Sequence, residues 1–177
     1  DLAAYSVLPD PLGFGRLYAY GRAQARFGGG FAQDVLGLAR FDDLDLFVPI
    51  YGSLTNDELE RVRGYRRPAL GDRVLFGTLE YRLPPSFDLQ TTILGFLGFG
   101  RTGFSLFTDA ALVWTGTDLD NAIRRTGVGA EAKNVLSIGG FELLHSFGMA
   151  APWGEIDADL TWSDLDIYYR IQAALAV

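Results

Sequence analysis

The stretch RLYAYGRAQARF, residues 16–27, alternates without a break. One set of positions reads Arg16, Tyr18, Tyr20, Arg22, Gln24 and Arg26, and the other Leu17, Ala19, Gly21, Ala23, Ala25 and Phe27. A period of two places successive side chains on opposite faces of a β-strand, whereas an amphipathic helix needs apolar residues at i, i+3, i+4 and i+7. The strand so defined has an arginine-rich polar side and a small apolar side. The same period recurs at Gly127–Lys133, where Glu131 and Lys133 oppose Val128, Ala130 and Ala132. It recurs again at 166–177, where Tyr168, Arg170 and Gln172 oppose Ile167, Tyr169, Ile171, Ala173 and Leu175.

Working outward, the candidate strands are Leu2–Leu8, Gly15–Phe27, Phe31–Ile50, Arg73–Leu83, Phe104–Trp114, Thr126–Leu136, Phe141–Ala151 and Asp166–Val177. Most are longer than the ~5–6 residues usual in soluble sheets and close to the ~9–11 that cross a bilayer at a tilt. The segment Phe87–Gly100 is too apolar for a surface loop and has no clear place in this scheme. Helical periodicity is confined to one or two turns at Asp118–Arg125. Connections alternate in length. Phe27–Phe31 and Leu136–Phe141 are tight glycine-bearing turns, while Gly52–Asp72, Thr115–Arg125 and Pro152–Leu165 are long and polar. Short turns on one side and long loops on the other are the pattern of a transmembrane barrel.

Composition agrees with interleaving. Hydrophobic residues are 49% and aromatics 14% of the 177 residues, yet mean hydropathy is only +0.13. The longest apolar stretch, Thr92–Gly100, is about half the ~20 residues a spanning helix requires. A net charge of −7 and a pI near 4.6 argue against nucleic acid as a partner. There is no cysteine, hence no disulfide framework and no thiolate chemistry. The chain begins Asp-Leu-Ala-Ala inside a candidate strand and without an initiator Met. It is therefore read as residues 1–177 of a longer protein, the C-terminal part of a barrel domain whose N-terminal part is absent. Tyr51, Tyr65, Trp114, Trp153 and Trp162 near strand ends lean toward interfacial girdles. Alternation alone does not separate a lipid-facing side from a dry core, so a soluble β-sandwich or ligand-binding β-barrel stays open.

Three motifs, in order, resemble the BamA/TamA-type outer-membrane assembly and translocation barrels of the bacterial surface antigen family. Val62-Arg63-Gly64-Tyr65 is similar to the Val-Arg-Gly-Phe/Tyr signature at the tip of that family's sixth extracellular loop, folded back into the lumen. Gly71-Asp72-Arg73 and Leu79-Glu80-Tyr81-Arg82-Leu83-Pro84 resemble the strand that follows the loop. Phe107-Thr108-Asp109-Ala110-Ala111 resembles a Phe-x-Asp-x-Gly strand motif, with Ala111 in place of Gly. The closing runs Phe141–Pro152 and 166–177 resemble the last two strands. The family ends on an aromatic residue, and this chain ends on Val177.

The resemblance implies an all-β, antiparallel transmembrane β-barrel, with this chain supplying roughly the last eight strands of a closure of about sixteen. It implies a place in the bacterial outer membrane and a role in inserting or translocating other proteins. Its partners would be outer-membrane lipid, client outer-membrane or secreted polypeptides, and accessory lipoproteins. The expected site is a clasp. The planar fork of Arg63 grips a carboxylate bidentately, Gly64 lets the tip turn sharply, and Tyr65 packs on the wall. Asp109 shares a strand face with Phe107 and Ala111 and is the expected partner, with Glu80 one strand away as a second. Leu106, Ala110 and Leu112 would then face lipid. Two other functions remain: a barrel that anchors or exports an attached N-terminal domain, and the soluble ligand-binding barrel.

No catalytic residue, cofactor or metal site is expected, and the protein is not read as an enzyme. His145 is the only histidine and alternates with Leu143, Phe147 and Met149, a packed or interfacial position. Asp42, Asp43 and Asp45 lack the Gly and closing Glu of a calcium loop. Asp118, Asp120, Asp157 and Asp159 fall in long loops, and Gly28-Gly29-Gly30 reads as a turn.

Overall fold

The computed structural model describes residues 2–26, 36–38, 44–47, 61–84, 87–93, 97–117, 119–138, 141–153 and 165–173, and each regular element among them is a strand. These are β1 (Leu2–Leu8), β2 (Arg16–Ala25), β3 (Leu36–Leu38), β4 (Leu44–Phe47), β5 (Ala69–Gly71) and β6 (Arg73–Arg82), followed by β7 (Phe87–Ile93), β8 (Leu97–Trp114), β9 (Ile123–Ile138), β10 (Phe141–Pro152) and β11 (Asp166–Ala173). No helix among the described residues is long and apolar enough to cross a membrane, which bears only on helical spans.

Seven strands pair antiparallel in the order β1-β2-β6-β8-β9-β10-β11. β4 adds to β11 in parallel, Leu44–Phe47 against Tyr169–Gln172. β7 pairs with the first part of β8, and β3 with β5 forms a separate two-stranded ladder. A barrel requires the two edge strands to meet. Among the described residues β1 and the β11–β4 edge are not paired, so the sheet is open and no closed barrel is seen.

Register converts alternation into two faces, because directly paired residues share a side. Thr78 pairs with Asp109 and Asp109 with Gly127, while Arg82 pairs with Ser105 and Ser105 with Glu131. One face therefore carries Arg22, Gln24, Thr78, Glu80, Asp109, Glu131, Lys133 and Arg170. The other carries Leu75, Leu79, Leu106, Ala130, Phe147, Met149 and Ile167. The division is also one of burial. Glu80, Asp109 and Glu131 are buried, whereas Leu75, Leu106, Phe147 and Ile167 are each at least half exposed.

Several expectations change. Phe31–Ile50 is not one strand: its described parts are β3 and β4, which join different partners. Gly37 lets β3 come so close to β5 that an added Cβ would overlap the Ala69 carbonyl. The Gly52–Asp72 loop ends in β5 instead of remaining irregular. Phe87–Gly100 resolves into β7 and the start of β8. It extends the β6–β8 pairing beyond Pro84, a residue that cannot donate to a ladder. The helical turns at Asp118–Arg125 are absent from the described part. The Ala122 amide donates to the Leu119 carbonyl in a single turn, and β9 has begun by Ile123. Tyr51, Trp162, Val177, Leu175, Asp42, Asp43, Asp118, Asp157, Asp159 and Gly28-Gly29-Gly30 lie outside the described residues.

The connection between β1 and β2 is tightly built. The Asp10 carboxylate accepts from the amides of Leu12 (3.0 Å) and Gly15 (2.7 Å) and from the Tyr81 hydroxyl (2.9 Å). Desolvation works against its charge, but these hydrogen bonds outweigh it and hold the carboxyl below its ordinary range. Gly15 sits where a Cβ would strike the Tyr81 ring, so glycine is required for this close approach.

Candidate functional site: an arginine clasp on the sheet

The site is made by residues 61–68 lying across the polar face of β8, β9 and β10. Its tip is a four-residue turn in which the Tyr65 amide donates to the Val62 carbonyl at 3.3 Å. Gly64, in the third place, takes φ +94°, a left-handed conformation that β-carbon-bearing residues rarely adopt. The turn thereby points Val62, Arg63 and Tyr65 into the sheet, and all three are buried. Val62 and Tyr65 pack in one apolar cluster with Leu38, Ala69, Val74, Phe76, Ala111 and Val113. The Tyr65 hydroxyl donates to the Thr126 carbonyl at 3.3 Å.

Arg63 is 7% exposed and Asp109 is 1% exposed. The guanidinium donates to Asp109 through two arms, Nε to Oδ2 at 2.7 Å and Nη2 to Oδ1 at 2.6 Å. The Arg63 backbone amide reaches the same Oδ2 at 3.1 Å. Thr78 Oγ1 accepts from Nη2 at 3.1 Å and donates to Asp109 Oδ1 at 2.6 Å. The guanidinium also lies over the Phe107 ring, with Cζ 3.3 Å from its centroid. This is charge-assisted bidentate pairing with an aromatic shelf beneath it, a geometry that suits Arg and not Lys. Burial disfavours the cation, but the hydrogen bond and charge of Asp109, joined by Glu131, raise the Arg63 pKa above its ordinary value.

Glycine makes room for this packing. An added Cβ at Gly127 would overlap the Arg63 carbonyl, and one at Gly129 would meet the Phe107 ring. Gly127→Ala is accordingly expected to force the tip off the sheet and cost about 1–3 kcal/mol, the range for overpacking a filled site. Equilibrium unfolding in urea measures it, and an unchanged midpoint would contradict the close approach.

Glu80, the second expected partner of Arg63, is engaged elsewhere. Its Oε1 accepts from Arg82 Nε at 2.9 Å, on the same strand and face, and from Lys133 Nζ at 2.8 Å. The second acid at Arg63 is Glu131, with Nη1–Oε2 at 3.4 Å. Glu131 is 2% exposed and also holds Lys133 at 3.0 Å and Arg170 at 3.0 Å. Its sequence signal was its place beside Lys133 on the polar side of a strand, but only register shows that it approaches Arg63. Two further contacts were not foreseen. Arg66 donates twice to Asp166 Oδ1, at 3.0 and 2.6 Å. Arg125 donates to the carbonyls of Arg67 and Pro68 and faces the Tyr65 ring. Phe107 is 5% and Ala111 8% exposed, the first under the guanidinium and the second in the apolar cluster.

His145 is on the apolar face, where its ring nitrogens lie 3.0 Å from the Tyr169 hydroxyl and 3.1 Å from Asn134 Oδ1. It is remote from the clasp in register, pairing with Asn134 and Ile171. Trp114 closes β8, Trp153 follows β10 and is exposed, and Asp120 lies in the turn before β9. Comparison with protein-family models, with curated proteins and with solved structures finds no match.

Proposed function

We propose that this chain is part of an outer-membrane β-barrel of the BamA/TamA type, which inserts or translocates other proteins at the bacterial outer membrane. The observation that carries the reading is the opposition of the two faces. A network of the buried Arg63, Asp109 and Glu131 with the half-buried Arg170 lies on one side. On the other, Leu75, Leu106, Phe147, Met149 and Ile167 are 46–57% exposed. An apolar sheet face of this kind needs a cover, the described residues do not bury it, and hydrocarbon would.

In this reading the 61–68 segment is the tip of the sixth extracellular loop, folded into the lumen and clasped by Arg63 to Asp109. The open edges at β1 and β11 are completed by further strands of the same barrel. Client strands pair by edge addition near the last strand. No covalent catalysis is involved, and the partners are outer-membrane lipid, client polypeptides and accessory lipoproteins.

The experiment is refolding into phospholipid vesicles, with heat-modifiable gel mobility as readout, on the wild-type chain and on Leu106→Arg. Arginine on the apolar face is expected to cost about 2–4 kcal/mol if that position lies near the bilayer midplane. A protein that stays monodisperse without detergent, and whose folding ignores Leu106→Arg, would be a soluble β-protein instead.

A further inference from the structure

We infer that the crevice between the β1–β2 connection and the end of β6 binds a phosphate-bearing anion. The crevice has a volume of about 550 Å³ and is lined by Asp10, Phe14, Arg16, Tyr18, Arg82 and Pro84, among others. It is separate from the clasp and does not depend on the membrane reading.

Register places Arg16 directly opposite Arg82 on neighbouring strands and on the same face. Like charges in that relation are destabilising unless something offsets them. Arg82 is held in place, donating to Glu80 at 2.9 and 3.3 Å and stacking on Tyr18 with Cζ 4.1 Å from the ring centroid. Glu80 is in turn shared with Lys133. The other acid in the lining, Asp10, is occupied by two amides and the Tyr81 hydroxyl. Arg16 is exposed, and no acid among the described residues pairs with it. In a chain of net charge −7, this corner therefore presents the exposed Arg16 guanidinium beside that of Arg82, two of whose nitrogens already donate to Glu80.

The geometry selects the ligand class. The Arg16 fork, with the Nη1 side of Arg82 on the adjacent strand, suits an anion with oxygens on several sides, which a phosphate has and a carboxylate lacks. Phe14, Tyr18, Leu83 and Pro84 supply an apolar wall beside the cations. Phe14 packs edge-on against Tyr81, with centroids 6.0 Å apart, and Gly13 takes φ +79° in the turn. A pocket of this kind takes either a phospholipid phosphate with its acyl glycerol or a free phosphate.

The test is calorimetric titration of the full chain in nonionic detergent with three probes: inorganic phosphate, dihexanoyl phosphatidic acid and uncharged dihexanoyl glycerol. The same titrations on Arg16→Gln subtract partition into micelles, and circular dichroism establishes that the variant keeps its strands. Loss of one charge-assisted contact is expected to weaken phosphatidic acid and phosphate about tenfold or more. Tighter binding of phosphatidic acid than of phosphate assigns the lipid source, and equal binding assigns a free phosphate at the same site. Equal affinities in wild type and Arg16→Gln, tight binding of the uncharged lipid, or no saturable binding of either anion would overturn the inference.

Discussion

Asp109→Ala is expected to destabilise the fold by about 3–5 kcal/mol, the cost of removing one partner from a buried ion pair. The size of the loss comes from what remains behind. Arg63 is 7% exposed and directs three donors at Asp109: its own amide, Nε and Nη2. Without the carboxylate these donors lose their acceptor in a site with little water. Thr78, which donates to Asp109 Oδ1, loses that partner as well. The reverse deletion, Arg63→Ala, is expected to cost less. Asp109 then keeps the Thr78 hydroxyl and the backbone amide of residue 63, and a carboxylate accepting such bonds is partly compensated. A charge exchange, Arg63→Asp with Asp109→Arg, should recover only part of the loss. Thr78 and the Phe107 ring are arranged around a guanidinium on the loop, not on β8. Urea midpoints with an unchanged m-value report these differences. A shift below about 1 kcal/mol for Asp109→Ala would place the pair among those that contribute little.

The apolar part of the clasp sets a limit on that effect. Val62 is 1% and Leu38 0% exposed, and with Tyr65 and Ala69 they fill a cluster against β6 and β8. Losing the ion pair removes polar direction from the segment but leaves this burial in place. The segment is therefore expected to loosen at Arg63 first, while Val62 and Tyr65 stay on the sheet.

What the sequence made legible follows from the range of each signal. The alternation of 16–27 is local, and it located β2 at Arg16–Ala25 within a residue or two at each end. The parity of Phe107, Asp109 and Ala111 is also local, and it placed all three on one face. The turn at Gly64 required only the chemistry of a single residue. Contacts between strands are a different matter. Glu80 and Glu131 are both acids on the polar side of their strands, and sequence offers no reason to prefer one as the companion of Arg63. Competing cations do not decide it, since Lys133 bridges both acids while Arg82 holds Glu80 and Arg170 holds Glu131; what differs is position, which brings Glu131 within 3.4 Å of Arg63. Phe31–Ile50 failed for a related reason. An apolar run with period two reads as one strand, but β3 is recruited by β5 and β4 by β11, partners far away in sequence. The glycines at 127 and 129 carry no pattern at all until the loop that lies over them is known.

Glu131 is where the largest cooperative effect is expected. It is nearly fully buried and faces three cations, Arg63 at 3.4 Å and Lys133 and Arg170 at 3.0 Å each. Glu131→Ala leaves several positive groups on one buried patch, and a loss of about 3–5 kcal/mol is expected on the same ground as for Asp109. The two acids share Arg63, so their removals should not add. When Asp109 alone is replaced, the long Arg63 side chain still has Glu131 within reach and can shift toward it, which softens the single loss. When both are replaced, the guanidinium has no carboxylate among its contacts. The double variant should therefore lose more than the sum of the singles, by about 0.5–3 kcal/mol, the range found for residues in one network. Repeating the cycle in an Arg63→Met background removes the shared partner while keeping an unbranched side chain over Phe107. There the coupling is expected to fall close to zero. Additivity already present with Arg63 in place would mean that the two acids act independently, and that Glu131 serves Lys133 and Arg170 alone.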